Sequence, residues 1–499
     1  MNIEGLIQSP DDRIAAFAKA QVLLYRNDPT LQDYFMQLQL DTMERPRARV
    51  QDLQTRSRLS SWVVNGAEKA FQAQMRKTIK TDVLFCPIPY FGRETENRLL
   101  VRTLMGLAQT DAKILCLLLG NAPCREEIDA RLDAAGRTGQ VEFLDPTTCS
   151  SATESRVRAR RVRMRADSAF RDTVSILEPY GLSPEHELKG RFEDLARFID
   201  AWERIAQNIE FDAVVARCHW HALCSPVCRT AQERRKPAIT FQQGVIGHTL
   251  DVPVTASKYV AFGQSSASFL QRANQVFFDA IGKPEPLVDY IPAGSLFDDL
   301  KVLPEQFDRH TILMVDVPTA QSNFYGVEAQ CQALLDLADR LLSECNSLHR
   351  VLIRPHPFWS NMNFEGCHQL ARKHPGRCEL SHPSWPLEDD FRRSSAVVGI
   401  FSGVLTVASA SGIPAIFLQT EGGYETGDLA CFEPQQTLRP EAAFSQLSRI
   451  MGDEQAWVEA RSVALRNGRE YYQGGKNADL DGPFFESLLS PDSQRVSAV

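Results

Sequence analysis

Excess positive charge is absent from this chain: 55 lysines and arginines face 63 aspartates and glutamates, a net charge of -8. That balance argues against a nucleic-acid-binding protein, which usually carries a strongly basic domain, but leaves room for a local basic patch. Long apolar runs are missing too. The longest, such as residues 114–119 (ILCLLL), have strand length, far short of the roughly 20 residues a membrane span needs. The opening residues, MNIEGLIQSPDDRIAAFAKA, lack a basic segment followed by an apolar one, so no secretory leader is expected. There is no short-period repeat and no low-complexity tract. The 12 cysteines are scattered, and Cys86 and Cys116 sit inside strand-like apolar runs. Reduced, buried thiols in a cytoplasmic protein are the expectation.

What is present is globular in kind. With 499 residues, 43% hydrophobic and 24% charged, the chain is too long for one ordinary core, and two or three domains are expected. Residues 1–80 read as a helical segment, with Ile14, Phe17, Val22 and Leu23 at helical spacing. Then DVLFCPIP (82–89), a helical stretch over 96–108 and a strand over 113–119 make a βαβ unit, which implies a parallel sheet covered on both faces. Strand-like runs continue at 211–216, 237–241, 258–262 and 288–292. Ser225 reads as the N-cap and Pro226 as the first position of a helix running to Lys236. A second series opens near residue 310, with strands over 311–317, 351–354, 396–401 and 414–418 and helices over 327–345 and 403–411. The expected fold is α/β: two Rossmann-like doubly wound domains facing across a cleft, 81–300 and 301–470, with a C-terminal helix and tail at 471–499. In such sheets ligands bind beyond the carboxyl ends of the strands, and a cleft between two of them is the default small-molecule site.

The richest segment is VLIRPHPFWS (351–360). A buried strand delivers Arg354 and His356 to its carboxyl end, and Pro355 and Pro357 keep the backbone extended there. A guanidinium and an imidazole displayed together suit the phosphates of a nucleotide; the plainer alternative is a loop histidine bonded to a carbonyl. The second segment is GIFSGVLTVASASGIPAIFL (399–418). Ser402 and Gly403 lie between a buried strand and a helix of small residues, where free N–H groups and the helix dipole favour an anion. Beyond it, in QTEGGYETGD (419–428), Glu421 and Glu425 are candidates for ribose or donor-sugar hydroxyls, as against a polar surface loop.

In the first domain, Glu94 and Glu96 in FGRETE (91–96) are candidates for the base that deprotonates an acceptor hydroxyl, unless they only favour the first turn of the next helix. His219 and His221 are further cleft candidates. Gln243, Gly244 and His248 follow the strand PAITF, where amides and a glycine permit close approach of a ligand. Cys218, His219, His221, Cys224 and Cys228 match no standard zinc spacing, and no metal or other cofactor is expected. Six arginines (Arg156, Arg158, Arg160, Arg161, Arg163, Arg165) fall within ten residues. They read either as a solvated face or as a dock for an anionic membrane surface, worth about 1 kcal/mol per cation near the lipid.

FQQGVIG (241–247), RPHP (354–357) and FSGVLTVASASGIPAIFL (401–418) resemble three recurring blocks of bacterial GT-B enzymes that build surface polysaccharides. These include capsule and lipopolysaccharide Kdo transferases, sialyltransferases and CDP-glycerol glycerophosphotransferases. The resemblance implies a metal-independent glycosyltransferase with His356, Pro357, Ser402 and Gly403 in the donor site and an acidic or histidine base on the first domain. Its partners would be a nucleotide-sugar donor, CMP- or UDP-linked, and a polysaccharide or lipid-linked acceptor. The sequence departs from the pattern at Gln243, where histidine is frequent, and it has no paired-acid-glycine motif. Two other readings share the architecture: a nonhydrolysing sugar-nucleotide epimerase and a noncatalytic glycan-assembly subunit. An epimerase alters its nucleotide sugar without an acceptor, and a noncatalytic subunit binds without turnover.

Overall fold

The computed structural model describes residues 78–87, 94–118, 124–145, 202–219, 224–246, 252–297, 300–304, 310–315, 327–355, 365–382, 385–400, 402–419 and 427–490, with a few isolated residues besides. The arginine-rich stretch and nearly all of residues 1–77 lie outside them, as do Arg93, His221, Gly247, His248, His356, Pro357, Glu421 and Glu425.

The first sheet has seven strands: β1 (Val83–Cys86), β2 (Ile114–Leu117), β3 (Val141–Leu144), β4 (Ala213–Ala216), β5 (Ala238–Phe241), β6 (Lys258–Ala261) and β7 (Asp289–Pro292). Their order is β7-β6-β5-β4-β1-β2-β3, and every pairing is parallel. The second sheet holds β8 (Thr311–Val315), β9 (Arg350–Arg354), β10 (Cys378–Leu380), β11 (Ala396–Gly399), β12 (Ala415–Leu418) and β13 (Thr437–Leu438). It runs β10-β9-β8-β11-β12-β13, again all parallel. Each sheet therefore builds outward in both directions from its first strand. The reversal lies between β1 and β4 in one and between β8 and β11 in the other, and those are the switch points at which doubly wound sheets open a crevice.

The inner strands are short, apolar and buried because parallel strands are covered on both faces, whereas the edge strands β3, β7, β10 and β13 are partly exposed. Alternation divides each between two cores. Leu84 and Cys86 point into one cluster; Val83 and Phe85 point into another, which Leu313 and Val315 of the second sheet also join. Ile312 and Met314 face a third cluster on the far side of the second sheet. One apolar core is thus shared by both domains.

The helices are α1 (Glu94–Gln109), α2 (Arg125–Ala134), α3 (Cys224–Glu233), α4 (Gln264–Ala280), α5 (Val327–Glu344), α6 (Glu365–Lys373), α7 (Leu387–Arg392), α8 (Gly403–Ala410), α9 (Pro440–Gly452), α10 (Glu454–Tyr471) and α11 (Gly482–Leu489). Ser225 and Pro226 fall inside the first turn of α3, which begins two residues earlier than the sequence suggests. Long α10 crosses α8 so closely that a Cβ at Gly468 would collide with the backbone of Ala410. Only glycine fits there.

Beyond α10 the chain returns to the first domain. Ser295 bridges to Asn477, Arg102 of α1 donates to the carbonyls of Leu296 (3.2 Å) and Ala478 (3.1 Å), and α11 packs on α1. Buried Lys258 on β6 donates to the carbonyls of Leu488 (2.5 Å) and Ser490 (3.3 Å), closing the C-terminal end of α11. No described helix is long and apolar enough to cross a membrane.

Candidate functional site

At the switch point of the second sheet, β11 ends at Gly399 and α8 begins at Gly403. Gly399 is required by packing, since a Cβ there would press on Val315 of β8 (2.8 Å to its Cγ2). Ser402 is extended (φ -146°, ψ 135°), and its Oγ accepts from the Val404 N–H at 3.1 Å, an N-cap that fixes the first turn. Gly403 is exposed, and nothing lies within 4 Å of where its Cβ would be. Among the described residues, then, nothing covers the N-terminus of this eight-residue helix at the switch point. Its dipole suits an anion there, although the Val404 and Leu405 N–H groups already bond Ser402, through Oγ and the carbonyl.

Register places the neighbouring strand ends at the same level. Val315 of β8 pairs with Arg354 of β9, and Met314 pairs with Val398, next to Gly399. Two strand spacings separate Arg354 from Gly399, about 10 Å.

Arg354 itself turns inward. It is 8% exposed; Nη1 donates to Asp390 Oδ2 at 2.6 Å and Nη2 to the Trp385 carbonyl at 2.7 Å. Ser381 donates to the same Asp390 oxygen at 2.5 Å. The expectation that Arg354 presents its guanidinium to a phosphate is corrected accordingly: a buried carboxylate at α7 captures it, since a buried cation needs a paired charge. Its role is to pin the 381–390 segment to the end of β9. That segment carries Trp385, 45% exposed, with the His382 ring 6.4 Å away. Sequence reading overlooked both aromatics and Asp390; the exposed tryptophan between prolines in HPSWP was the available signal.

In the first domain the candidates separate. Glu94 and Glu96 belong to the first turns of α1 and do not precede it, where acidic residues complement the helix dipole. His219 follows β4 but is 1% exposed and packs edge-on to Tyr259, ring centroids 5.8 Å apart. Its imidazole lies in the interior, so an open cleft position for it is corrected as well. Gln243 is tied down on both sides of its amide. Its Oε1 accepts from Arg217 Nε (2.7 Å), while Nε2 donates to the carbonyls of Arg217 (2.5 Å) and Phe241 (2.9 Å). Among the described residues nothing lies within 4 Å of where a Cβ on Gly244 would stand. A shallow recess beside these residues is lined by Phe85, Pro87, Leu99, Thr103, Arg217 and Phe241.

Among the described residues no group of histidines, cysteines and acids could hold a metal ion. Cys86, Cys218, Cys224 and Cys228 are buried, and burial raises the Cys86, Cys224 and Cys228 thiols, keeping them protonated and unreactive.

One further cluster joins the domains. The turn Gly427–Phe432, between β12 and β13, carries Asp428, which is 0% exposed. Its Oδ2 accepts from Ser266 Oγ of α4 (2.7 Å), Tyr471 Oη of α10 (2.7 Å) and Gln242 Nε2 after β5 (3.0 Å). Its Oδ1 accepts from the Ile246 N–H (3.0 Å). Burial pushes the carboxyl up to about 7, against the pull of the four donors, which favour the carboxylate.

These strand orders define two doubly wound, Rossmann-like α/β domains in tandem. No protein-family model and no curated protein matches the chain. Solved structures that match include Anabaena Alr3699/HepE in complex with UDP, with 11% identity, 82% of this chain and 99% of that one covered, and a TM-score of 0.44. They also include the S. aureus MnaA-UDP co-structure, with 11% identity, 82% and 95% coverage and a TM-score of 0.44. A third is the α,α-trehalose 6-phosphate synthase of Burkholderia multivorans, with 10% identity, 83% and 96% coverage and a TM-score of 0.47.

Proposed function

We propose that this chain is a glycosyltransferase that moves a sugar from a CMP- or UDP-linked donor to a polysaccharide or lipid-linked acceptor. Residues 301–470 form the donor half and 81–300 the acceptor half. The observation that carries this reading is the open, serine-capped N-terminus of α8 at the switch point of the second sheet. As the glycosidic bond breaks, negative charge grows on the departing phosphate. N–H groups fixed beforehand at a helix N-terminus stabilise that charge without reorganising.

Ser402 and Gly403 bind the phosphate, joined by His356 and Pro357 two and three residues beyond the end of β9. Arg354 acts through the strut to Asp390 and holds the segment bearing Trp385, whose exposed face offers a stacking surface for the base. Glu421 and Glu425 take donor hydroxyls. On the acceptor half, Glu94 or Glu96 at the head of α1 removes the acceptor proton, with Gln243, Gly244 and His248 lining the acceptor side. The Arg156–Arg165 stretch brings a lipid-linked acceptor within reach by docking on an anionic membrane.

Thermal-shift titration with CMP, CDP, UDP and GDP tests the donor site, because a ligand of the folded form raises the melting temperature. A cytidine or uridine nucleotide is expected to stabilise the wild type, and His356→Ala to lose the effect. Gly403→Asp is expected to lose it as well while keeping the fold, since an acid at a helix start is favourable but repels a phosphate. Absence of stabilisation by all four nucleotides would overturn the donor-site assignment. Incubation with donor alone tests the reaction: a sugar nucleotide altered without an acceptor would mean epimerisation.

A further inference from the structure

Asp428 is the meeting point of three parts of the chain. The turn that carries it belongs to the second sheet; Gln242, Ile246 and Ser266 belong to the first domain; Tyr471 ends α10, the helix that leads the chain back. The Asp428 N–H also donates to the Ile246 carbonyl (3.3 Å), and Ser265 Oγ donates to the Asp428 carbonyl (2.7 Å). Gln242, Ile246, Ser266, Asp428 and Tyr471 are fully buried, and Ser265 is half-buried.

Among the described residues, the four groups that touch the carboxyl are neutral donors: a hydroxyl, a phenol, an amide and a backbone N–H. Among the described residues the titratable groups around it are few. Tyr471 faces it from α10, and its phenol is held well above its usual range, so it stays protonated. Cys431 lies on its own turn, likewise raised by burial and by Glu470 of α10. The α4 side brings Ser265 and Ser266, and the segment after β5 brings Gln242 and Ile246. Desolvation without a paired cation penalises the charged form of an acid. Opening the knot to water removes that penalty.

We propose that Asp428 is a proton-operated latch between the two domains, tight when its carboxyl is protonated and loosened when it ionises. Protonated, the acid donates its own hydrogen within the knot, where the Ser266 and Tyr471 hydroxyls rotate to accept it. Ionised, it is better solvated with the turn lifted from α4. The sign follows from linkage. The carboxyl's value in the closed knot, about 7, lies above that of a solvated aspartate, so closure is favoured below the solvated value and weakens as pH rises to about 7. Each pH unit across that window changes the closing equilibrium about tenfold. As regulation of donor access the latch rests on the glycosyltransferase reading; as a property of the fold it does not.

Hydrogen exchange on the full chain from about pH 5 to about pH 8.5, corrected for intrinsic rates, tests it. Amides of 241–246 and of the first turns of α4 are expected to lose protection about tenfold per pH unit up to about pH 7 and to level off above. Asp428→Asn, which cannot ionise, is expected to abolish that slope. Tyr471→Phe removes a donor that favours the carboxylate, so its plateau is expected at higher pH; it serves if Asp428→Asn does not fold. Protection independent of pH in the wild type, an unchanged slope in Asp428→Asn, or an unmoved plateau in Tyr471→Phe would overturn the latch. A UDP titration across the same range separates the two ideas. Binding without a protection slope removes the latch alone, and a slope without binding of any nucleotide removes the donor site alone.

Discussion

Two buried aspartates, both 0% exposed, are solved in opposite ways. Asp390 sits inside the second domain and faces a cation, Arg354, with Ser381 on the same oxygen. Asp428 sits between the domains and, among the described residues, faces neutral donors. A charge sealed within one domain never has to meet water, so a permanent counter-ion is the economical partner. A carboxyl at a junction that opens is served by donors that tolerate either protonation state. The contrast teaches that the pairing of a buried acid reports whether its surroundings are meant to come apart.

The comparison breaks most severely at Asp390. Asp390→Ala leaves a buried guanidinium without its charge partner and is expected to cost about 3–5 kcal/mol in denaturant unfolding; a cost below about 1 kcal/mol would mean that Arg354 finds solvent instead. Next comes the pH dependence of Asp428. Because the folded carboxyl titrates near 7, above an unfolded aspartate, the folded state holds the extra proton. Stability is therefore expected to fall by a few kcal/mol between about pH 4 and about pH 7, then to stay level. Asp428→Asn is expected to flatten that part of the profile. A profile rising over this window would place the ionised form as the favoured one. The mildest change is Ser402→Ala, which removes only the N-cap of α8. It is expected to cost about 1 kcal/mol, far less than loss of either aspartate, with a matching fall in melting temperature.

Local features were legible in the sequence. The core strands announced themselves as apolar runs of strand length, and Ser402 stood where a capped helix had to begin. β3 and β10 escaped notice because VEFL and CEL are short, with charged or half-exposed positions at sheet edges. The fate of Arg354 was hidden for a different reason. Its partner lies 36 residues away in an acidic helix (LEDDF) that looks like any solvated one. Asp428 was harder still, since Gln242 is 186 residues distant and only the packing of α4 and α10 brings them together. Hydrophobic periodicity encodes neighbours along an element, not the long-range polar pairs that folding creates.

The return of the chain from α10 to α1 has a bearing on how the protein is made. Arg102 and Gly106 of α1 meet backbone at Ala478 and Leu480, and Gly482 lies against Gln109. During synthesis the first sheet emerges from the ribosome long before these partners exist, so its α1 surface stays wet until residues 476–490 have been translated. Domains usually fold in the order in which they are synthesised, but this one is finished last, by a piece that the ribosome delivers only after the second domain.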